Sequence, residues 1–396
     1  MFGIGDNKNT PVYGVLFDIG SGSVGVAVVE FDINKPTPNI LFSHRTQMRI
    51  TEHTAKRDIL LRKVREAVFS SALLLSQDGL TALKSHNRKA RISKMYVSCA
   101  SPWSYNLTRT VDYTDDEPFK ITNSIIEDLT RGAEESIFSD MHQNSKNDED
   151  TFQVVERASV DISVNDYSVA DPIDLKGSSV SLSHIVGLIP REVSDSIIEV
   201  QEKLYPDSET KIHTYMLIMY CTLRDVLTDF DSLCIIDITG EAVECGLVEG
   251  GLIIQNIYIH SGTSTFLRAA VKSTGRPVAD IKTAVQNFDD NSLGSKKLDE
   301  LVQKYIELYA SELVKIMQKK VIPKDIVITA DRSYEVLFTY IFEEAFKIAA
   351  NKKLKIKAID EVLKEEIATG INEDVYLVIE AYFFHKLHGC MDLEAG

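Results

Sequence analysis

Two short polar turns carry the residues best suited to chemistry, and each follows an apolar segment. The first turn follows Asp18 and comprises Gly20, Ser21, Gly22 and Ser23. Glycine has no Cβ and lets a phosphate approach the backbone N–H groups, while serine hydroxyls can donate hydrogen bonds to its oxygens. A carboxylate beside such a turn is suited to hold a hydrated Mg²⁺. The turn therefore indicates a phosphate and magnesium site, although an ordinary β-hairpin explains it equally well when it is taken alone.

A second turn of the same design lies in the other half of the chain, where Asp237 precedes Thr239 and Gly240. Runs of β-forming residues flank both turns, so each turn is expected to join the two strands of a hairpin. The chain has no Walker sequence G-x-x-x-x-G-K-[ST], and no helix follows the first turn as a Rossmann site requires. The paired hairpins predict a duplicated fold that clamps a phosphate between its halves, with Asp18 and Asp237 facing each other across Mg²⁺.

Apolar periodicity predicts the elements that position these turns. In the first half we expect a third strand at 40–43, a helix at about 52–76 and a strand at 94–99. Helices are then expected at 191–204 and 211–227. After the second hairpin the pattern predicts a strand at 252–259, helices at about 265–272 and within 278–318, a strand at 325–329, and helices at 334–350 and 375–387.

The segment from 101 to 183 has a different pattern of predicted strands and helices. It contains a strand-like run at 107–113, a helix at about 122–138 and a polar run at 141–150 that is typical of an exposed loop. Two alternating segments, 152–164 and 178–189, complete it. These features predict a small α+β unit inserted into the first domain.

Length and composition set further bounds. A chain of 396 residues with 44% hydrophobic and 26% charged residues is expected to form two or more domains of ordinary globular type. The formal net charge of −16 argues against non-specific binding of nucleic acid and against direct docking to anionic lipid. The five cysteines include no C-x-x-C pair, and the N-terminal residues lack the apolar core of a signal peptide, so we expect a cytoplasmic protein.

Two smaller features have simple explanations. The basic run at 86–91 could form a local patch, but a solvated loop is the simpler interpretation. His385 and His388 could ligate a metal, yet histidines near the end of a helix are usually surface residues.

With these elements placed, the chain resembles the FtsA/PilM family of bacterial actin-like ATPases, over nearly its whole length. FDIGSGSVGVAVVE looks like the first phosphate motif of the family and IIDITGEAVECGLV like the second. DIVITADRS occupies the place of the adenosine motif, and VADIK, which contains Lys282, looks like the acid-and-lysine segment near the ribose. The inserted unit with NDYSVADPIDLKG is similar to the 1C subdomain of the family.

The resemblance implies an α/β protein with the actin-like ATPase fold, built from duplicated ribonuclease-H-like domains with an FtsA-type 1C insertion. It places domain I (1A) at 1–100 and 184–231, the 1C-like subdomain at 101–183, and domain II at 232–396 with a helical 2B part at about 266–324. It implies ATP or ADP with Mg²⁺ as cofactors. The implied binding residues are Asp18, Gly20, Ser21, Gly22, Ser23, Asp237, Thr239, Gly240, Gly262, Lys282, Ala330 and Asp331, with Asp18 and Asp237 at the metal.

Several positions depart from the family pattern and argue against efficient hydrolysis. Thr239 replaces the first glycine of the second phosphate motif, and Glu241 and Ala242 replace the glycine and threonine that usually follow. The two glycines of the adenosine motif are Ala330 and Asp331, which narrow the turn and add a negative charge. No acidic or amide residue is clearly placed to orient an attacking water near the start of the helix expected at 211–227, where Glu209 is the near candidate, so no catalytic residue is assigned.

The resemblance implies a cytoplasmic nucleotide-binding scaffold for type IV pilus assembly or cell division, at most a weak ATPase. It would lie at the inner face of the membrane through a membrane-linked partner, such as a PilN-like cytoplasmic tail or a divisome protein. Self-association is compatible with this interpretation, whereas nucleic-acid binding and direct membrane insertion are not expected. The alternatives are a pseudo-ATPase adaptor with a vacant cleft and a small-molecule kinase of the actin and sugar-kinase superfamily.

Overall fold

The computed structural model describes residues 11–49, 56–144, 152–228, 230–289, 292–318, 321–351, 354–363 and 367–394. Its strands are β1 (Val12–Ile19), β2 (Ser23–Phe31), β3 (Asn39–Gln47), β4 (Ile92–Cys99), β5 (Tyr105–Lys120), β6 (Phe152–Val164), β7 (Tyr167–Ser168), β8 (Lys176–Pro190), β9 (Glu209–Thr214), β10 (Ser232–Ile238), β11 (Val243–Glu249), β12 (Leu252–Ile259), β13 (Asp325–Thr329), β14 (Lys355–Ala358) and β15 (Thr369–Gly370).

The helices are α1 (Arg57–Leu74), α2 (Leu80–His86), α3 (Asn123–Asn144), α4 (Arg191–Leu204), α5 (Tyr215–Val226), α6 (Thr263–Thr274), α7 (Val278–Gln286), α8 (Lys296–Met317), α9 (Arg332–Ala350), α10 (Ile359–Val362) and α11 (Val375–Glu394). A π-helical turn, Leu75–Gly79, joins α1 to α2. The expected start of α1 at 52–55 lies outside the described residues. Of the loop expected at 141–150, residues 141–144 instead continue α3, and 145–150 lie outside the described residues. Among the described helices, none is both long and apolar enough to cross a membrane.

The first sheet has the strand order β15-β3-β2-β1-β4-β9, and successive residues of β1 point to its opposite faces. On one face Phe17 packs in a core with Val64 of α1. On the other face Leu16 packs in a core with Ile218 of α5 and Ile379 of α11. Both faces of this sheet are therefore covered, which accounts for the nearly continuous apolar sequence of its central strands.

The second sheet repeats the pairing of the first. Its order is β12-β11-β10-β13-β14. Strand β10 pairs antiparallel with β11 and parallel with β13, as β1 pairs antiparallel with β2 and parallel with β4. Helices α6, α8 and α9 pack their apolar side chains against one face of this sheet. The duplication predicted from the two hairpins is thus present in the strand pairing.

Helices α5 and α11 lie between the two sheets, in a core that Ile235 and Val327 enter from the second sheet. This differs from the expected division, which assigned 232–396 to the second domain. Helix α11 contacts β1, β2 and β3, and β15 pairs with β3, so this last part of the described chain packs on the first sheet. The physical reason is that α11 has apolar side chains on several sides, so it is stable where other elements pack against more than one of them.

The inserted unit forms a third sheet of order β5-β8-β6-β7, covered by α3. Its strands are longer than expected, and β8 runs without a break from the insertion into the first domain, where Ile189 joins the core under β1. A second difference concerns residues 211–214, which we expected to begin a helix. They belong to β9, which pairs in parallel with β4, and α5 begins at Tyr215.

Candidate functional site

The two hairpin turns meet at the carboxyl ends of β1 and β10. A cavity of about 50 Å³ lies between them. Of the expected binding residues, those that line it are Asp18, Gly20, Ser21, Gly22, Ser23, Thr239, Gly240, Lys282 and Asp331. Sequence reasoning therefore found residues, far apart in the chain, that the fold brings to one cleft between the sheets.

The two turns are in direct contact across this cleft. Ser21 Oγ donates a hydrogen bond of 3.0 Å to Thr239 Oγ1, and the Glu241 N–H donates one of 2.8 Å to Ser21 Oγ. A Cβ on Gly240 would lie only 2.7 Å from the Gly22 nitrogen, so glycine here permits the two backbones to touch. Gly22 and Gly240 thus allow the two turns to touch each other in this closed arrangement.

Thr239 takes part in this contact through its hydroxyl. Thr239 Oγ1 accepts from Ser21 and lies 2.7 Å from the Ser101 carbonyl oxygen, to which it can donate. A glycine at this position, as in the family pattern, would lack both bonds. The departure from the family pattern therefore adds a polar link between the halves.

Glu241, a second departure, directs its side chain away from the cavity. Its carboxylate pairs with the Arg268 guanidinium on α6 through two hydrogen bonds, one of them 2.6 Å long. Gly262, at the start of α6, does not line the cavity but packs on the same turn, where a Cβ would lie 2.3 Å from the Thr239 carbonyl oxygen. The second turn is thus braced by α6.

Arg45 occupies the position beside Asp18 that sequence reasoning reserved for a metal ion. Asp18, Gly25 and Arg45 stand in one row across β1, β2 and β3. The Arg45 Nη2 atom lies 2.7 Å from Asp18 Oδ2, and Nη1 donates a 3.0 Å hydrogen bond to Ser23 Oγ. Gly25 makes this reach possible, because a Cβ there would lie 2.6 Å from Nη2.

The segment before α11 holds Arg45 from the other side. Asp374 accepts from Arg45 Nε at 2.7 Å and from Nη2 at 2.9 Å, and the guanidinium carbon lies 5.0 Å from the centre of the Tyr376 ring. Burial disfavours the charged guanidinium, but Asp18 and Asp374 outweigh it and hold the pKa of Arg45 well above its usual range. Burial raises the pKa of Asp18, and Arg45 opposes that shift.

Asp237 lies below the turns and does not line the cavity. It is 1% exposed, and neither carboxylate oxygen has a hydrogen-bond partner among the described residues. Burial, with added repulsion from Glu244 and Asp18, raises the pKa of Asp237 well above its usual range. A buried carboxyl in this setting is stable in its neutral form.

The residues present do not fit a magnesium ion in this arrangement. Mg²⁺ requires several oxygen ligands at about 2.0–2.1 Å, in near-octahedral geometry. The Arg45 guanidinium engages Asp18 Oδ2 instead, Asp18 Oδ1 accepts a 3.3 Å hydrogen bond from Ser98, and Asp237 does not line the cavity. The expected metal pair of Asp18 and Asp237 is therefore not assembled here.

Asp331 faces the cavity and also caps a helix. Its Oδ1 accepts a 2.9 Å hydrogen bond from the Ser333 N–H at the start of α9, and its Oδ2 accepts one of 3.3 Å from Gln47 across the cleft. Ala330 is fully buried and lines a neighbouring cavity of about 270 Å³ on the far side of Arg45. The segment expected to be the adenosine motif thus begins α9 and contacts Gln47 of the first sheet.

Glu209, the candidate for orienting a water, is not near this cleft. It stands at the start of β9 opposite Lys94, whereas the cleft lies at the other end of β4, where Cys99 pairs with Thr214. The Glu209 carboxylate, which is about half exposed, pairs with the Lys94 ammonium. The structure therefore excludes this residue from the site.

The comparisons with known proteins support the fold. No family model matches the sequence, and no curated sequence matches it. Among solved structures, a PilM-PilN type IV pilus biogenesis complex is similar at 11% identity and a TM-score of 0.55, over 96% of this chain and 98% of that one. A Bacteroides thetaiotaomicron protein with an actin-like ATPase fold and unknown function aligns over 96% of this chain and 98% of that one, at 10% identity and a TM-score of 0.43.

With the duplicated strand pairing, the similarity to PilM-PilN identifies the class of fold. The chain has the actin-like ATPase fold, with two ribonuclease-H-like domains, and the prediction of the fold is confirmed. At 11% identity the likeness concerns the fold alone.

Proposed function

We propose that this protein is an actin-fold scaffold in which a nucleotide acts as a conformational ligand rather than as a metabolic substrate. The observation that carries the proposal is the meeting of the two hairpin turns across one cleft, at Gly22 and Gly240. A ligand inserted between the turns has to separate them, so its binding changes the angle between the domains. Such coupling shifts a population of conformations and needs no chemical step.

The surroundings of the cleft favour a scaffold over an enzyme. Glu209 lies at the other end of its strand, and Glu241 is held by Arg268. Neither is placed to orient water at the cavity. Phosphoryl transfer depends on positioning and on electrostatic stabilisation, so we expect ATP hydrolysis to be slow at best.

The inserted unit is placed to relay partner binding to the cleft. The Asn106 N–H at the start of the inserted sheet donates a 2.7 Å hydrogen bond to Tyr258 Oη on β12, and Asn106 Nδ2 donates one of 3.3 Å to Glu244 on β11. Glu244 on β11 stands directly opposite Asp237 on β10 in the register of the second hairpin. A partner that moves the insertion would therefore act directly on the strands that carry the second turn.

The proposed partner is a membrane-linked protein, as in pilus assembly or cell division. One of the similar solved structures is a PilM-PilN type IV pilus biogenesis complex, which supports this class of partner for the present chain. The net charge of −16 opposes direct docking to an anionic membrane, so we propose a cytoplasmic protein recruited to the membrane through that partner.

A second candidate is an adaptor whose cleft stays closed and takes no nucleotide. The direct bond between Ser21 and Thr239 and the ion pairs of Arg45 favour it, because they close the cleft with the protein's own side chains. In this case the closed form would itself be the partner-binding form.

Titration calorimetry with ATP and ADP, joined to hydrogen exchange at the two turns, separates these candidates. Nucleotide as a conformational ligand predicts saturable binding and a changed exchange rate at residues 20–23 and 239–242. No heat and no change in exchange would favour the closed adaptor. Conversion of ATP and a sugar to ADP and a sugar phosphate at the ~1–100 s⁻¹ typical of kinases would contradict both.

A further inference from the structure

We propose that the Arg45 guanidinium is the resident cation of this phosphate site, so that the site takes the polyphosphate of a nucleotide without Mg²⁺. This inference rests on the proposed function, because it concerns how the same cleft would hold its ligand. It replaces the magnesium role that the sequence suggested for Asp18 and Asp237, because Arg45 already contacts Asp18 and Asp237 does not line the cavity.

The placement of the guanidinium supports this role. A guanidinium has five N–H donors, and the contacts to Asp18, Asp374 and Ser23 engage four of them. The remaining N–H is on Nη1, the nitrogen that contacts Ser23 in the first turn. Arg45 itself lines the cavity between the turns. The donor is therefore on the side where phosphate oxygens would enter.

The two carboxylates fix the guanidinium while leaving it charged. Asp374 binds Nε and Nη2, and Asp18 binds Nη2, so the side chain is held at one edge and its other nitrogen faces the first turn. Arginine is suited to this task because its planar fork matches phosphate oxygens and keeps its charge at any physiological pH. Lys282 also lines the cavity and adds a second cation.

A magnesium ion at Asp18 would have to displace Arg45 from partners on three elements. It would break the contacts to Ser23 on β2, to Asp374 before α11 and to the Tyr376 ring. The displaced guanidinium would leave Asp374, whose side chain is only 16% exposed, without its cation, which is costly. If Arg45 stayed, two cations would lie side by side on one carboxylate.

Gly25 gives an independent way to test this geometry. It lies between Asp18 and Arg45 in the row across the sheet, and a Cβ there would meet Nη2 at 2.6 Å and the guanidinium carbon at 3.0 Å. Gly25→Ala therefore pushes the guanidinium off Asp18 while the charge remains in the protein. Arg45→Gln removes the charge itself.

The experiment is titration calorimetry with ADP, in MgCl₂ and in EDTA, on four proteins: wild type, Arg45→Gln, Gly25→Ala and Arg65→Gln. Arg65 pairs with Glu199 on the outside of the first domain and serves as the control for loss of an arginine. We expect the wild type and the control to bind ADP equally in both buffers, within about twofold. We expect both cleft variants to lose about tenfold or more in EDTA, and Arg45→Gln to recover in MgCl₂ because Asp18 is released.

The outcomes separate this inference from the proposed function. A wild type that binds at least about tenfold more weakly in EDTA needs a metal, which overturns the inference and leaves the proposed function standing. Tighter binding in EDTA by either cleft variant would show that Arg45 obstructs the site. No binding by any of the proteins contradicts both proposals. If Arg45→Gln fails to fold, as judged by circular dichroism, Gly25→Ala decides.

Discussion

Ser21 Oγ donates a 3.0 Å hydrogen bond to Thr239 Oγ1, a residue 218 positions away in the chain. Both side chains are buried, at 2% and 9% exposure, and each belongs to the turn of a different sheet. The two halves of the fold are therefore joined at the cleft by side-chain hydroxyls as well as by the helices between the sheets. Because this bond is shielded from water, its loss should be measurable in stability.

Replacing Thr239 with valine keeps the shape of the side chain and removes its hydroxyl. The change leaves Ser21 Oγ without this acceptor and removes the donor to the Ser101 carbonyl oxygen. We expect the free energy of unfolding to fall by about 1–3 kcal/mol, measured by urea denaturation. Thr283→Val, at an exposed position of α7 where the hydroxyl donates to the Ala279 carbonyl oxygen of the same helix, should change it by less than about 0.5 kcal/mol. Equal losses in the two variants would contradict the role of Thr239.

Glu244 should make stability depend on pH. Burial raises its pKa to about 8, while hydrogen bonds from Asn106 and Tyr258 oppose the shift and nearby Glu156 adds to it. From about pH 4.3, where glutamate ionises in an unfolded chain, up to about pH 8, the folded protein keeps a proton that the unfolded chain has lost. Stability therefore falls as pH rises through this window, by at most about 1.4 kcal/mol per pH unit from this group, and the loss ends above the folded pKa.

The variant Glu244→Gln isolates this effect, since the other buried carboxyls remain in both proteins. We expect the variant to gain stability relative to the wild type steadily between pH 5 and pH 8, measured by urea denaturation at each pH. Parallel pH profiles for the two proteins would show that Glu244 is ionised in the fold and that this assignment is wrong.

Asp331 should weaken nucleotide binding through its charge. An anion about 4 Å from a phosphate costs roughly 1 kcal/mol in water and about 4 kcal/mol at an intermediate effective dielectric. Asp331→Asn removes the charge and can still cap α9, since asparagine is a good N-cap residue. We expect ADP affinity to rise at least about fivefold, with little gain in phosphate release. Asp360→Asn, which removes an exposed carboxylate paired with Arg332, should leave the affinity unchanged, and an equal gain there would refute a local effect.

The purified protein should not bind vesicles by itself. With a net charge of −16 it is repelled by an anionic surface, even though the loop at 86–91 is basic. We expect no co-flotation with phosphatidylglycerol vesicles at physiological salt. A charge-reversed loop, Arg88→Glu/Lys89→Glu/Arg91→Glu, should behave in the same way. Flotation of the wild type that is lost in this variant would instead assign the loop to membrane binding.

The sequence was most informative where the structural cause is local. A hairpin is specified by its own strands and turn, so the two glycine turns and the aspartates before them could be predicted from short segments. Most helices could be predicted in the same way. Residues 211–214 were mistaken for helix because β9 leads directly into α5, with no Gly, Pro or turn sequence to mark the boundary.

Arg45 was missed because its role depends on three strands and on a segment 329 positions away. Its contact with Asp18 needs the register that aligns both residues with Gly25, and its second partner is Asp374. A lone arginine at the end of a strand shows nothing of this. The available signal was Gly25 itself, because glycine inside an apolar strand often marks a close approach of another group.

Helix α11 also has a consequence for the order in which the protein is made. Leu16 and Ala27 of the first hairpin find part of their apolar cover in residues 375–384, yet they leave the ribosome long before that helix. Synthesis proceeds at about 5–20 residues per second, so the inserted sheet and the second sheet can form while one face of the first sheet still lacks the cover that α11 provides. We therefore expect a nascent chain that stops before residue 375 to carry both turns and still bind chaperones through that uncovered face.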